Sequence, residues 1–278
     1  MNMPSSNTAK AIEIASKDNA KIKTLRQLGQ KKYRDESGKF LVENAVIVRD
    51  AANAGFVFDA IFATKDFLEK NEEIFDLIVN ETKITEYYLI DEKINKSFSS
   101  MDTPPGIAAV YSKPGNKIDH TKPIVYLNAI NDPGNVGTIL RSALAFDLQN
   151  IVIDERSADV YNPKTISAAK DAIFKLNIGF DKDRKFLIDL KKMSAQGGPA
   201  SGWPIFTTRL EKSNGLEILN KQKLFCIVLG SESHGVDEAI RKMSDDFIRI
   251  PMSANIESLN VAASAAIIFH EIYNNRKN

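Results

Sequence analysis

The chain has 278 residues, of which 43% are hydrophobic and 26% charged, ordinary values for a globular protein of one or two domains. No apolar run approaches the roughly 18 residues needed to span a bilayer, and residues 1–10 lack the apolar stretch of a secretory signal. The single cysteine, Cys226, excludes an internal disulfide, reads as a buried structural thiol within the apolar run 224–229, and points with the other features to a reducing cytoplasm, while the net charge of +1 hides an uneven distribution.

The first 40 residues hold nine basic and four acidic side chains, and residues 41–120 hold eight and fourteen. The early cations gather on Lys21, Lys23, Arg26, Lys31, Lys32 and Arg34. Such a patch suits phosphate backbones, and it also suits a solvated helix face. Residues 19–31 read as an amphipathic helix, with Ile22, Leu25 and Leu28 recurring every three residues between cations. Residues 34–38 read as a turn, 40–42 as a strand, and 45–54 as a helix closed by Gly55. A strand at 60–63, a helix at 65–80, a strand at 84–90, a helix at 91–99 and a strand at 107–111 follow. This alternation predicts a compact α/β domain over residues 1–111.

Residues 112–122 are polar, contain Pro114-Gly115 and read as a linker. From 123 to 278 the strand candidates become almost purely apolar, at 124–127, 151–153, 225–229 and 247–250. Strands without alternation suit a parallel sheet covered on both faces. Helices are expected at 136–146, 164–174, 185–193, 236–243 and 259–273, with a small flexible loop at 197–202.

Three segments carry chemistry. Asn131-Asp132-Pro133-Gly134-Asn135-Val136-Gly137-Thr138-Ile139-Leu140-Arg141 runs from a buried strand through a turn into a helix, an arrangement that offers free backbone N–H groups to a polar ligand or simply caps a helix. It lacks the Gly-Lys-Ser/Thr ending of a nucleotide loop and the Gly-x-Gly-x-x-Gly of a dinucleotide fingerprint. Gly230-Ser231-Glu232-Ser233-His234-Gly235 places Glu232 at the carboxyl mouth of a strand, where open parallel sheets bind ligands. His234 reads as a loop histidine, and three scattered histidines with one cysteine predict no metal site. Ile250-Pro251-Met252 leads to Ser258-Leu259-Asn260-Val261. Ser258 would serve as a helix N-cap, whereas Asn260 is harder to explain by capping.

In this order the three segments resemble the SpoU (TrmH-like) branch of the SPOUT RNA 2′-O-ribose methyltransferases. The stretches 19–23, 32–35 and 38–43 are similar to the substrate-binding domain of that family's ribosomal-RNA members. The resemblance implies a mainly parallel α/β domain with a trefoil knot, preceded by a smaller α/β RNA-binding domain. It implies pairing into a homodimer, with S-adenosylmethionine as methyl donor and RNA as acceptor, 23S-like ribosomal RNA first and transfer RNA next. Gly230, Ile250, Met252 and Leu259, with Leu127 and Asn128 near them, would line the cofactor pocket. Arg141 would engage the ribose 2′-hydroxyl, Asn135 would hold its loop or a phosphate, Glu232 would orient Arg141 or the ribose, and Ser258 and Asn260 would complete the polar wall. One departure stands out: Ser167 and Asp171 replace the arginine and glycine of an Arg-Ala-Ser-x-Gly-Ala-like stretch. That change motivates a rival reading as an inactive RNA-binding or assembly protein of the same fold.

Overall fold

The structure is a computed structural model that describes residues 9–115, 117–195, 203–209, 213–231, 234–253 and 255–277. The chain divides into two compact units, Met1–Pro114 with Tyr161–Ser167, and Gly115–Val160 with Ala168–Asn278.

The first unit is built on a mixed sheet. Its strands are β1 (Lys10–Glu13), β2 (Lys39–Val42), β3 (Ala60–Thr64), β4 (Glu86–Ile90) and β5 (Ile107–Ser112), in the spatial order β1-β4-β3-β5-β2. β1, β4 and β3 run parallel, and β5 runs antiparallel to both β3 and β2. The helices are α1 (Ala20–Leu28), α2 (Lys31–Ser37), α3 (Ala45–Asn53), α4 (Lys65–Lys70), α5 (Glu72–Thr82) and α6 (Glu92–Phe98). The apolar stripe of α1, Ile22, Leu25 and Leu28, is buried in one core with Leu41, Phe62, Ile90 and Ile94. Asn19 caps α1 by accepting from the Lys21 amide at 2.9 Å.

Two expectations for this unit change, and one strand is added. The expected turn at 34–38 is the end of α2, which is supported by the i,i+4 pairs Lys31–Asp35 and Lys32–Glu36 and stopped by Gly38 at φ 66°. The expected helix over 65–80 is two helices, because Asn71 leaves helical geometry at φ −134°, ψ 35°. β1 carries too little apolar pattern to be read from sequence: it is a four-residue edge strand, Lys-Ala-Ile-Glu, with three exposed residues.

The second unit carries a six-stranded sheet of β6 (Ile124–Asn128), β7 (Asn150–Asp154), β8 (Asn177–Asp181), β9 (Ile205–Thr208), β10 (Cys226–Gly230) and β11 (Asp246–Ile248). The order is β11-β9-β10-β6-β7-β8, and every neighbouring pair is parallel. β6, β7 and β10 are buried along their whole length, as unalternating apolar strands require. α7 (Pro133–Ala145) follows β6, and α8 (Pro163–Ala169), whose residues up to Ser167 are counted with the first unit, and α9 (Ala172–Lys175) follow β7. The chain then adds α10 (Lys185–Ala195), a 3₁₀ turn (Leu216–Lys221), α11 (Glu238–Met243) and α12 (Val261–Lys277). α12 packs against α7.

β8 and β9 were not legible in the sequence. β8 contains Gly179, where an added Cβ would come within 3.1 Å of Ile118, so the strand trades a side chain for close packing. β9 is only four residues long. The first strand, β6, lies between β7 and β10: the chain runs outward through β7 to β8, crosses to β9 on the other side, steps back to β10 beside β6 and ends at the edge strand β11. Such a reversal of strand order marks where open α/β sheets bind ligands, at the carboxyl ends of the strands.

Candidate active site

A cavity of about 480 Å³ opens at the carboxyl ends of β9, β10 and β11. That volume lies in the usual range for small-molecule sites. Leu229, Val236, Ile248, Ile250, Leu259, Val261 and Ile268 give it apolar walls, Thr208, Ser231, Ser258 and Ser264 add hydroxyls, and Arg209, Arg241 and Arg249 bring three guanidinium groups. Gly230 shapes its floor. A Cβ there would fall 2.3 Å from the carbonyl carbon of Gly235 and 2.4 Å from the Val236 amide nitrogen, so two backbone segments meet where only glycine fits. Ser231 and Gly235 hold that approach through reciprocal backbone bonds of 3.1 and 2.9 Å, with Gly235 at φ 65°.

The loop between β6 and α7 is built as a helix start. Asp132 caps α7 by accepting from the Asn135 amide at 2.7 Å, and Pro133 occupies the first turn, where its missing N–H costs nothing. The Asn135 side-chain oxygen accepts from Asn260 Nδ2 at 3.0 Å. Asn260 Oδ1 in turn accepts from the amides of Ala262 and Ala263 at 2.9 and 3.2 Å. Asn260 is therefore the N-cap of α12, and it ties the starts of α7 and α12 together. The expectation that Ser258 would cap is corrected: α12 begins at Val261, and exposed Ser258 lines the cavity instead.

Asn128, at the end of β6, belongs to a neighbouring polar cluster. Its Nδ2 donates to Asp154 at 2.9 Å and to Asp237 at 3.3 Å, and its Oδ1 accepts from the Asp237 amide at 2.9 Å. Asp154 also accepts from the Ala129 and Ser157 amides and from the Ser157 hydroxyl. Arg156 bridges Asp154 and Asp237. Burial pushes the Asp237 carboxyl up, but hydrogen bonds from Arg156 and Asn128 outweigh it and hold the group below its ordinary value. This cluster locks the ends of β6 and β7 to the start of α11.

The profile of the SpoU rRNA Methylase family matches residues 122–270, more than half of the sequence. The chain belongs to the SpoU rRNA methylase family. The profile of the MRM3-like substrate binding domain matches residues 19–109. Among its relatives, the chain is 28% identical over 260 residues to the 23S rRNA (guanosine(2553)-2′-O)-methyltransferase RlmP of Bacillus subtilis, covering 94% of this chain and 98% of that one. It is 27% identical to the mitochondrial rRNA methyltransferase 3 of Xenopus laevis, over 87% of this chain and 70% of that protein. In fold it matches an AdoMet-bound rRNA methyltransferase from Sinorhizobium meliloti with a TM-score of 0.77 at 23% identity, covering 95% of this chain and 98% of that one.

In this SpoU chain four of the six expected cofactor residues, Gly230, Ile250, Met252 and Leu259, converge on the cavity, together with Ser258. Leu127 and Asn128 do not line it: Leu127 is fully buried between Leu229 and Ile153, and the side chain of Asn128 is committed to Asp154 and Asp237. Arg141 is exposed on α7 and is not part of the cavity lining. Glu232 and Ser233 lie outside the described residues. Sequence reasoning missed Thr208, Arg209, Arg241 and Arg249, because β9 was not recognised and single arginines carry no motif. It also gave His234 no role, yet His234 lines the cavity. At the departure from the family pattern, Asp171 sits at an unstrained φ of −77° and pairs with Lys175, whereas its neighbour Lys170 takes the left-handed φ of 58°.

The expected RNA patch is smaller than the sequence suggests. Lys21, Lys23, Lys31 and Lys32 are exposed, with Lys21 over the Tyr88 ring at 4.7 Å. Arg26 is held by the Lys17 carbonyl at 2.6 Å. Arg34 is corrected to a structural residue: it is 1% exposed and its guanidinium donates to the Leu28 carbonyl at 2.8 Å, closing the end of α1. Among the described residues no group of side chains is arranged to hold a metal ion, and no helix is long and apolar enough to cross a membrane.

Proposed function

We propose that this chain transfers a methyl group from S-adenosylmethionine to a ribose 2′-hydroxyl of 23S-like ribosomal RNA. The observation that carries the reading is the convergence of Gly230, Ile250, Met252, Ser258 and Leu259, from two separated motifs, on one cavity of suitable size in a SpoU-family chain. The names of its relatives support the ribosomal target.

The cavity fits the cofactor in kind. Its apolar walls suit an adenine ring, and the tight backbone approach at Gly230 and Gly235 leaves main-chain groups near the ligand without intruding side chains. When bound, S-adenosylmethionine supplies a methyl group already activated on a sulfonium, so the protein has mainly to align the acceptor and manage its proton. Arg141 is the residue for that task. A guanidinium with a pKa above about 12 is a poor base but a good partner for developing negative charge on the 2′-oxygen. Asn135, fixed by Asn260, holds the turn that carries α7 and with it Arg141.

Arg141 stands outside the cavity lining, and α12 exposes Ile267 beside Ala263 and His270. These features support a homodimer in which the α7–α12 face is covered by a second copy and the site is completed across it. A trefoil knot in the second unit and a cytoplasmic location belong to the same reading. The domain limits proposed are 1–111 for RNA binding, 112–122 for the linker and 123–278 for the methyltransferase.

The test is label transfer from methyl-labelled S-adenosylmethionine to ribosomal and transfer RNA, with calorimetry on the cofactor. Ribosomal RNA should be labelled preferentially, and Arg141→Ala should lower transfer by about two to three orders of magnitude while leaving cofactor affinity within about twofold. Near-normal turnover of Arg141→Ala would remove it from the mechanism. No cofactor binding and no transfer by the wild-type protein would leave the inactive RNA-binding reading.

A further inference from the structure

The three arginines of the cavity have no counterpart in the motifs and no task in the reaction so far. Arg209 follows β9, Arg249 follows β11, and Arg241 lies in α11. Among the described residues none of the three has an acidic partner. The acids within four residues of Arg241 are spent elsewhere, Asp237 on Arg156, Glu238 on Lys242 and Asp245 on Lys191. No described lining residue is acidic, and Glu257, next to Ser258, is not among them. Arg241 and Arg249 are exposed, while Arg209 is held over the Phe247 ring at 5.2 Å.

Three like charges around one apolar cavity repel one another unless an anion answers them. The cofactor is a poor answer on its own. It offers one carboxylate, and with its sulfonium and ammonium groups it carries a net positive charge. A polyanion answers all three, and guanidinium groups suit phosphate through paired N–H donors. We infer that Arg209, Arg241 and Arg249 form a phosphate-binding rim that takes the RNA backbone flanking the target ribose. This inference rests on the methyltransferase reading for the identity of the polyanion. The rim then supplies register. Phosphates held on the rim would fix the backbone beside the cavity. Neutralised by RNA, the rim also ceases to oppose the cationic cofactor, so the two substrates favour each other's binding.

The experiment compares the full-length wild type with Arg241→Gln/Arg249→Gln and the charge-keeping Arg241→Lys/Arg249→Lys. Binding of ribosomal RNA is measured across a salt series, and binding of S-adenosylhomocysteine by calorimetry, with a melting temperature for each protein. In the Gln pair the slope of log K against log salt should fall by about 1.4–1.8, near 0.7–0.9 for each lost phosphate contact. Its S-adenosylhomocysteine affinity is read beside the slope, because both arginines line the cofactor cavity, and the Lys pair should keep most of the wild-type slope. An unchanged slope overturns the rim, and so does an unchanged slope with lost S-adenosylhomocysteine binding, which would make the arginines a clamp for the cofactor's carboxylate. The wild-type arm separates this from the underlying reading: no S-adenosylhomocysteine binding by the wild type, with the slope still falling in the Gln pair, would refute the methyltransferase and leave the rim standing.

Discussion

A methyl group at Gly230 would stand 2.3 Å from the Gly235 carbonyl carbon, an overlap with backbone that no rotamer change relieves. Gly230→Ala should therefore cost stability by about 1–3 kcal/mol or more and weaken cofactor binding at least tenfold, read from the melting temperature and from calorimetry. A variant with unchanged affinity would show that the cavity floor tolerates movement. At this scale the sequence was uneven as a guide. Gly230, Ile250, Met252, Ser258 and Leu259 were identified because they lie in motifs, and the structure gathers them at one cavity. Asn128 was expected at the same place because it ends the neighbouring strand. Its direction is fixed by Asp154 and Asp237, which are 26 and 109 residues away and invisible to local patterns.

Two helix starts depend on one asparagine. Asn260 caps α12 through its side-chain oxygen and anchors Asn135 through its nitrogen. Asn260→Ala loses both and should destabilise by about 1 kcal/mol, whereas Asn260→Asp keeps the cap and loses only the anchor. The expected result is near-normal stability for Asn260→Asp with reduced turnover, and wild-type turnover in Asn260→Asp would mean that the anchor does nothing. The cluster joining β6, β7 and α11 makes a second prediction. The Asp237 carboxyl titrates below its unfolded value near 3.9, so its contribution is complete at neutral pH and is lost as pH falls below about 4. Asp237→Asn should be less stable than wild type at pH 7, with the gap closing in acid, and a gap that does not depend on pH would remove the ionised carboxylate from the account. Elements with strong patterns, such as α1 and β10, were legible in advance. Elements whose boundaries rest on caps or side-chain links, α2 and the split of α4 from α5, were not.

For the whole molecule, phosphate contacts are assigned to both units in the proposed reading. In the first unit Lys31 and Lys32 are paired within α2, so Lys21 and Lys23 carry most of the free charge of the patch. Lys21→Ala/Lys23→Ala should flatten the salt dependence of RNA binding at constant melting temperature. Arg34→Ala should instead lower the melting temperature, because it leaves the Leu28 carbonyl unanswered in the core. The fold class, the parallel sheet and the family were readable from composition and three motifs. The strand order that makes the cavity was not, because β8 and β9 leave almost no trace in sequence. The most direct test of the central claim is the chemistry of the product. Purified protein, methyl-labelled S-adenosylmethionine and protein-free ribosomal RNA are incubated, and the RNA is digested to nucleosides and resolved by mass spectrometry. The account predicts label in a 2′-O-methyl nucleoside, and label on a nucleobase, or none in ribosomal RNA, would contradict it.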